Sequence, residues 1–547
     1  MRYQYRGILA LIALGAVTGC VDLEEQLVSG VSSDFYASPQ GVEAAVNATY
    51  SHLRTVYLSE RSVNISEFGT DLWTNGDQGG NKAFNFYDAG LNSGNGNFSG
   101  AWGDWYRAIN NANAVLDRAS EVEGMNAQLR DVRLGEVRFL RAFFYFHLVQ
   151  TFGDVPLTLS ENRGVITEMT RTPASEVYDA IEADLLAAID ALPLAQPDYG
   201  RATKGAAQHL LAKVLLTRAY RPYAKSDDFQ RAAQYAEAVI GSGEYSLLPE
   251  FSQVFDINNQ RHSEVVFSVQ STYDRQYLNG NNGDGNRYHL YFLGFYDDSR
   301  GLPRSILYGR AFRRLRPTEF ALNLWDKEID GRYHASFQHI WYATADAVGG
   351  AGTNGGPIAV GDTAMWLAEF DVTPEFRASK PYRIFDYSQW KNDEEEFRFP
   401  SLLKHQDPLR PSINEENGQR EYMYARLAGT HLIAAEAYLG AGDAAAAVPH
   451  LNAVRRRGAR PGSEDAMEIT AADVDLDFIL DERGRELMGE INRWYDLVRT
   501  NKLVERVTLH NRKAAAAGFL RDHHALRPIP QSQIDAVENE FPQNPGY

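Results

Sequence analysis

Apolar residues recur at helical spacing over residues 20–246 and 420–547 of this chain, and scarcely at all between them. That pattern predicts two blocks of amphipathic helices that bury their stripes against one another, with a long irregular piece inserted between them. Ser38-Pro39 opens the first helix, a serine cap followed by proline at the first helical position. Val42, Ala45, Val46, Thr49, Tyr50 and Leu53 then keep helical register. A second helix carries Trp102, Tyr106, Ile109, Asn113 and Leu116, which places Trp102 and Trp105 in the scaffold. A third carries Val137, Leu140, Phe144 and Leu148, and ends at Gly153-Asp154-Val155-Pro156. Thr172-Pro173 caps a fourth, with Val177, Ile181, Leu185 and Ile189 in phase.

Two further segments have the spacing of tetratricopeptide helix pairs. In the clearer one Ala435, Tyr438, Gly442, Ala447 and Val454 alternate small and large, so that two helices can approach closely. Gly205 to Gly243 is a looser copy. The intervening Leu247 to Gln419 holds Gly-Asn runs, scattered aromatics and few helical periods, and Gly69 to Gly100 has a similar character. Loops of this length are rare unless they do something, and loops on a rigid scaffold are where binding sites concentrate.

The start of the chain is a secretory signal. Arg2 and Arg6 precede an apolar run, Gly7 to Val17, that is too short to cross a bilayer, and Val17-Thr18-Gly19-Cys20 follows. Small residues before a cysteine resemble the lipobox of bacterial lipoproteins, in which residues 1–19 would be removed and the Cys20 thiol would carry the lipid. Cys20 is the chain's single cysteine, so neither an internal disulfide nor a thiolate metal cluster can form. Asp22, Glu24 and Glu25 come next, like the acidic stretch that directs such lipoproteins to the outer surface. The formal charge is −18, and −20 once the two leader arginines are gone, which argues against a nucleic-acid binder.

Enzyme motifs are missing: there is no His-Glu-x-x-His, Gly-x-Ser-x-Gly or phosphate loop. Gly350 to Gly355 fits a Gly-x-Gly-x-x-Gly pattern, but Gly356-Pro357 follows where a helix is needed. His523-His524 and the His334/His339 pair lack partners at a metal-binding spacing, and Asp473, Asp475 and Asp477 read as acids in the first turns of a helix capped near Thr470. No metal or other cofactor is expected.

Three long stretches resemble the SusD/RagB family of outer-membrane nutrient-binding lipoproteins: Arg133 to Leu157 (RLGEVRFLRAFFYFHLVQTFGDVPL), Asp481 to Arg499 (DERGRELMGEINRWYDLVR) and Leu526 to Tyr547 (LRPIPQSQIDAVENEFPQNPGY). The resemblance implies a mostly α-helical SusD-like single domain, residues 20–547, in which four tetratricopeptide-like helix pairs form the scaffold and the loop-rich segment 247–419 is mounted on it. It implies a lipid-anchored, surface-exposed outer-membrane protein that captures an oligosaccharide or other small nutrient and passes it to a SusC-like, TonB-dependent β-barrel transporter. It implies no catalysis. A glycan-degrading hydrolase and a tetratricopeptide interaction scaffold are the competing readings. Within the motifs, Glu486, Arg493, Trp494, Asp496 and Arg499 read as paired charges at a packed helix interface, since unpaired burial is costly. The terminal segment reads as a chain end pinned to the scaffold.

Sugars need flat aromatic platforms with polar side chains at their rims. The expected ligand residues are therefore Asp71, Trp73, Asn75, Asp77 and Phe86 in the first loop, with Trp73 as the main platform. Tyr273, Tyr277, Asn281 and Tyr288 are expected from the second, and Trp341 is named together with Trp325 and Trp366.

Overall fold

The computed structural model describes residues 38–119, 122–274, 285–391 and 396–547. The expected leader and the expected lipidation position, Cys20, lie outside the described residues. Among the described residues, eight long helices form four pairs: α1 (Pro39–Tyr57) with α2 (Gly96–Arg118), α3 (Ala127–Phe152) with α4 (Ala174–Ala191), α5 (Lys204–Ala219) with α6 (Asp228–Ile240), and α7 (Leu427–Gly440) with α8 (Ala444–Gly458). Each helix packs on the next, and α6 packs on α7 across the long insertion, so the pairs form one continuous stack.

Local chemistry fixes the helix starts. The Ser38 hydroxyl accepts from the Gly41 amide at 3.1 Å, and Asn95, Asn126, Thr203 and Asp443 cap α2, α3, α5 and α8 in the same way. The start of α4 differs from expectation. Thr172 does not cap it; the Asp154 carboxylate reaches across to the Ala174 amide at 2.8 Å. Gly153-Asp154 therefore stops α3 and starts α4. Small residues set the contact between the last two pairs. A Cβ on Gly440 of α7 would stand 2.3 Å from the Phe229 ring of α6, and within the last pair Ala435 and Ala447 are fully buried in one cluster.

The middle segment contributes short strands and single-turn helices. Strand β1 (Trp73–Asn75) pairs antiparallel with β3 (Leu315–Pro317), and β2 (Val265–Val269) pairs antiparallel with β7 (Tyr422–Arg426). In a three-stranded sheet, β5 (Thr363–Leu367) lies between antiparallel β4 (Ile340–Tyr342) and parallel β6 (Arg383–Phe385). The β1–β3 pairing ties the first loop region to the insertion, and one hydrophobic core runs through all three parts of the chain. No helix follows Gly350 to Gly355; the short strand Pro357–Ile358 does.

The charged residues of the family motifs are inside. Arg141 of α3 grips Asp184 of α4 with two bonds of 2.7 and 2.8 Å and donates to Asn113 of α2, so one guanidinium joins three helices. Glu486 receives Arg332 at 3.0 Å as well as Arg426 and Arg457, and Asp496 receives Arg483 and Arg499 at 2.9 Å. Burial pushes these carboxyls up, and the surrounding guanidiniums more than offset it, holding both well below the usual carboxylate range. These charges are structural: each buried anion is shared among cations, the condition under which such burial is tolerated.

The chain end is pinned as expected. Asn544 donates to the carbonyls of Phe152 and Arg527, and the Arg527 amide donates to Thr151. Among the described residues, no helix is long and apolar enough to cross a membrane and no cluster of three or more metal-type ligands exists. Asp475 caps the helix Leu476–Glu486, Asp473 closes a 3-10 turn with Thr470, and Asp477 pairs with Lys502 and Arg506.

Candidate functional site

Half of the expected ligand residues are interior. Trp73 is fully buried on β1, edge-on to Phe292 and near Phe337; it is core and offers no platform. Asp71 is buried between Arg493 and Arg506. Asn75 is buried in a chain of amides in which Asn511 donates to Asn85 and Asn85 to Asn75, each at 2.9 Å. Tyr288 lies in the core with its hydroxyl 2.8 Å from Ser62, and Trp341 and Trp325 are buried as well. Five of the ten expected residues, Asp71, Trp73, Asn75, Tyr288 and Trp341, are thus corrected from ligand contacts to packing. Asp77 is half-buried and bound bidentately by Arg313 at 2.7 and 3.0 Å, which after the opposing effect of burial holds its carboxyl down. Phe86 is half-buried at the end of a short helix, and Tyr273 is exposed. Tyr277 and Asn281 lie outside the described residues. Trp366 is half-buried on β5, 5.7 Å from the exposed Phe370.

The two loop regions do converge, on a polar cleft of about 950 Å³. Its walls come from the end of α1 (Ser51, His52, Thr55), the turn into the helix Glu60–Ser66, the first loop with the start of α2 (Asn81, Asn95, Asn97), and Arg287. The Arg287 amide donates to the Leu58 carbonyl at 3.2 Å, fixing the second loop region against the end of α1. The asparagines form a network. Asn97 donates to Asn95 at 2.9 Å and to Asn81 at 3.1 Å, and receives from Asn64 at 3.2 Å. Such a network holds amides in fixed orientations and leaves further donor and acceptor capacity for hydroxyls.

Charge is organised around the same space. Arg107 and Arg61 both pair with Asp104, and Glu60 pairs with Arg314. The guanidinium of Arg61 rests against Gly100, where a Cβ would come within 2.3 Å of it. His52 accepts from Asn111 at 2.8 Å; burial, and then Arg107, push its protonation below the ordinary range, so it is neutral near pH 7. The positive end of the α2 dipole is also at the cleft, since Gly96 and Asn97 line it. A volume of this size accommodates an oligosaccharide, and its lining is polar rather than aromatic.

Arg61, Asp104, Arg107, Asn95 and Asn97 are not among the expected ligand residues, which are aromatics and the polar side chains beside them in the two loops. One signal was available. Asp104 and Arg107 fall between the buried Trp102, Trp105 and Ile109 of α2 and so must face outward on the side opposite the core.

Comparison with known proteins places this geometry in context. Residues 241–547 match the family model described as "SusD family", and residues 42–216 match one described as "Starch-binding associating with outer membrane". The chain is 28% identical to "SusD-like protein P2" of Formosa agariphila over 564 aligned positions, covering all of both chains. Its fold superposes on a SusD homologue from Bacteroides thetaiotaomicron with a TM-score of 0.76 at 21% identity, covering 95% of this chain and all of the other. A laminarin-binding SusD-like protein superposes with a TM-score of 0.69 at 24% identity, over 93% and 100%.

Proposed function

The chain belongs to the SusD family, and from that premise we propose that it is a non-catalytic glycan-capture protein of the outer-membrane surface. The observation that carries this reading is the asparagine and arginine cleft, in which oriented side-chain donors and acceptors converge on a space of about 950 Å³. Sugar hydroxyls are bound by such groups through cooperative hydrogen bonds. The two carboxylates that line the cleft, Glu60 and Asp104, are both engaged by guanidiniums rather than standing free to meet a glycosidic oxygen. Similarity to a laminarin-binding protein supports a glycan as the captured nutrient.

In this reading Cys20 carries the lipid that tethers the chain, and the captured glycan passes to a TonB-dependent, SusC-like transporter. Calorimetric titration of the purified protein against a panel of oligosaccharides tests the binding step. A member of the panel should bind without release of product, and Asn97→Ala should weaken that binding while leaving the melting temperature nearly unchanged. Cleavage of the oligosaccharide, or binding indifferent to Asn97→Ala, would count against the reading. Cys20→Ala should leave the protein soluble in fractionated cells that lack the transporter.

A further inference from the structure

Guanidiniums outnumber carboxylates around the cleft. Arg61 and Arg107 share the single carboxylate of Asp104, with Arg107 at 2.9 Å from it. Arg287, which lines the cleft, shares Glu416 with Arg310 in the same way, Arg310 lying 3.1 Å from it. In both places two cations are balanced by one anion. A guanidinium carries five N–H donors in a planar fork, and a carboxylate shared between two such forks leaves donors on each unused. These side chains also keep access to solvent: Arg107 is 63% exposed and Arg310 39%.

The excess is a matter of placement, not composition, because the chain as a whole carries a charge of −18. The Arg61 guanidinium lies against the bare backbone of Gly100. Neutral sugars can use the N–H donors but leave the excess charge unbalanced, whereas two guanidiniums on one carboxylate keep a net positive charge that a second anion neutralises. A uronate carboxylate or a sulfate ester matches the fork and is bound by charge-assisted, bidentate hydrogen bonds.

We infer that the cleft selects anionic glycans, with the sugar's carboxylate or sulfate held by Arg107 and Arg61 on Asp104 and by Arg287 beside Glu416. The inference rests on the glycan-capture reading and narrows its substrate class. Titration of the detergent-solubilised full chain separates the two sources of negative charge and tests both against neutral sugars. The probes are oligogalacturonate for carboxylate, carrageenan oligosaccharides for sulfate, and laminarin and maltooligosaccharides as neutral sugars, each in 50 and 300 mM salt.

At least one anionic probe should bind, roughly tenfold or more weaker at the higher salt. Arg107→Gln and Arg287→Gln should each weaken that binding by about tenfold or more, the loss of a charged hydrogen bond, with melting temperature held. Binding of a neutral probe alone, insensitive to salt and to Arg107→Gln, would overturn the inference and leave glycan capture standing. Anionic binding that both substitutions leave intact overturns the assignment to these arginines. Failure of every probe to bind overturns the inference together with the capture reading.

Discussion

The indole of Trp73 stands edge-on to the ring of Phe292, centroids 4.8 Å apart at 68°, with no solvent reaching either ring beyond a trace. The contact joins the first loop region to the insertion through the core. Trp73→Ala should therefore cost about 3 to 5 kcal/mol of stability, the range for deleting a large buried aromatic. Urea unfolding checks this, and Trp73→Phe should recover part of the loss. A Trp73→Ala protein as stable as the parent would show that the loop, not the core, holds this side chain.

Asp71 receives Arg493 at 2.6 and 2.7 Å and Arg506 at 2.9 Å, all three buried. Asp71→Ala leaves the Arg493 guanidinium with only the Leu480 carbonyl, whereas Arg506 keeps Asp477 and Asp481. Removing one member of a buried pair costs about 3 to 5 kcal/mol. Most of that cost should vanish in the double substitution Asp71→Ala, Arg493→Met. A double-mutant cycle on unfolding free energy reads the coupling.

Acid should unfold the protein through its buried carboxylates. Burial pushes Glu482 up, but Arg332, Arg485 and Arg455, at 2.7 to 2.8 Å, hold it down at about 2, against an ordinary value of 4.5. A folded-state value below the unfolded one gives stability that is present above pH 4.5 and lost as the pH falls toward 2. Glu482 alone contributes roughly 3 kcal/mol in this way, and Glu486 and Asp496 act in the same direction. Chemical denaturation between pH 7 and pH 2.5 should show stability falling steeply below pH 4.5, and Glu482→Gln should lose stability at pH 7 while flattening that fall.

Glu67 behaves in the opposite sense. Its side chain is buried, and burial raises it to about 8 although it accepts from the amides of Asn492 and Arg493 at 2.7 and 3.2 Å. Here the folded-state value lies above the unfolded one, so the stabilising contribution is complete below pH 4.5 and is lost as the pH rises through 8. Glu67→Gln, which mimics the protonated acid, should gain stability relative to the parent as the pH rises from 5 to 8. Melting temperatures of the two proteins across that range check the crossover, and a difference constant with pH would refute it.

The helical scaffold was legible in the sequence because each of its causes is local. Ser38-Pro39 starts α1, and the stripe from Val42 to Leu53 faces the core as its spacing requires. The alternation of small and large side chains in the Ala435 hairpin marked two helices that do pack closely. The buried charges of Asp481 to Arg499 were readable as pairs because isolated burial is too costly, although their partners, Arg332, Arg426 and Arg457, could not be named from spacing. The start of α4 falls directly after Pro173 as the sequence requires, but its capping side chain is Asp154, which arrives from the end of the preceding helix and not from Thr172.

The ligand residues divided differently. Trp73, Asn75 and Asp77 share one polar, aromatic loop, yet the pairing of β1 with β3 sends Trp73 and Asn75 inward and leaves Asp77 at the rim. Composition cannot tell a platform from a packed ring, because the same indole serves both uses.

Capping, period and long motifs act over a few residues each, so the sequence alone carries the start of α1, the helical periods and the resemblance to a family, which in turn implies the four-pair scaffold. Only the tertiary structure decided the cleft. Arg61, Arg107 and Asp104 meet because α2 passes the end of α1, and Arg287 joins them from a distant part of the chain by a backbone bond to Leu58. No local rule records that encounter; the packing of the stack makes it, and with it the charge that a ligand meets.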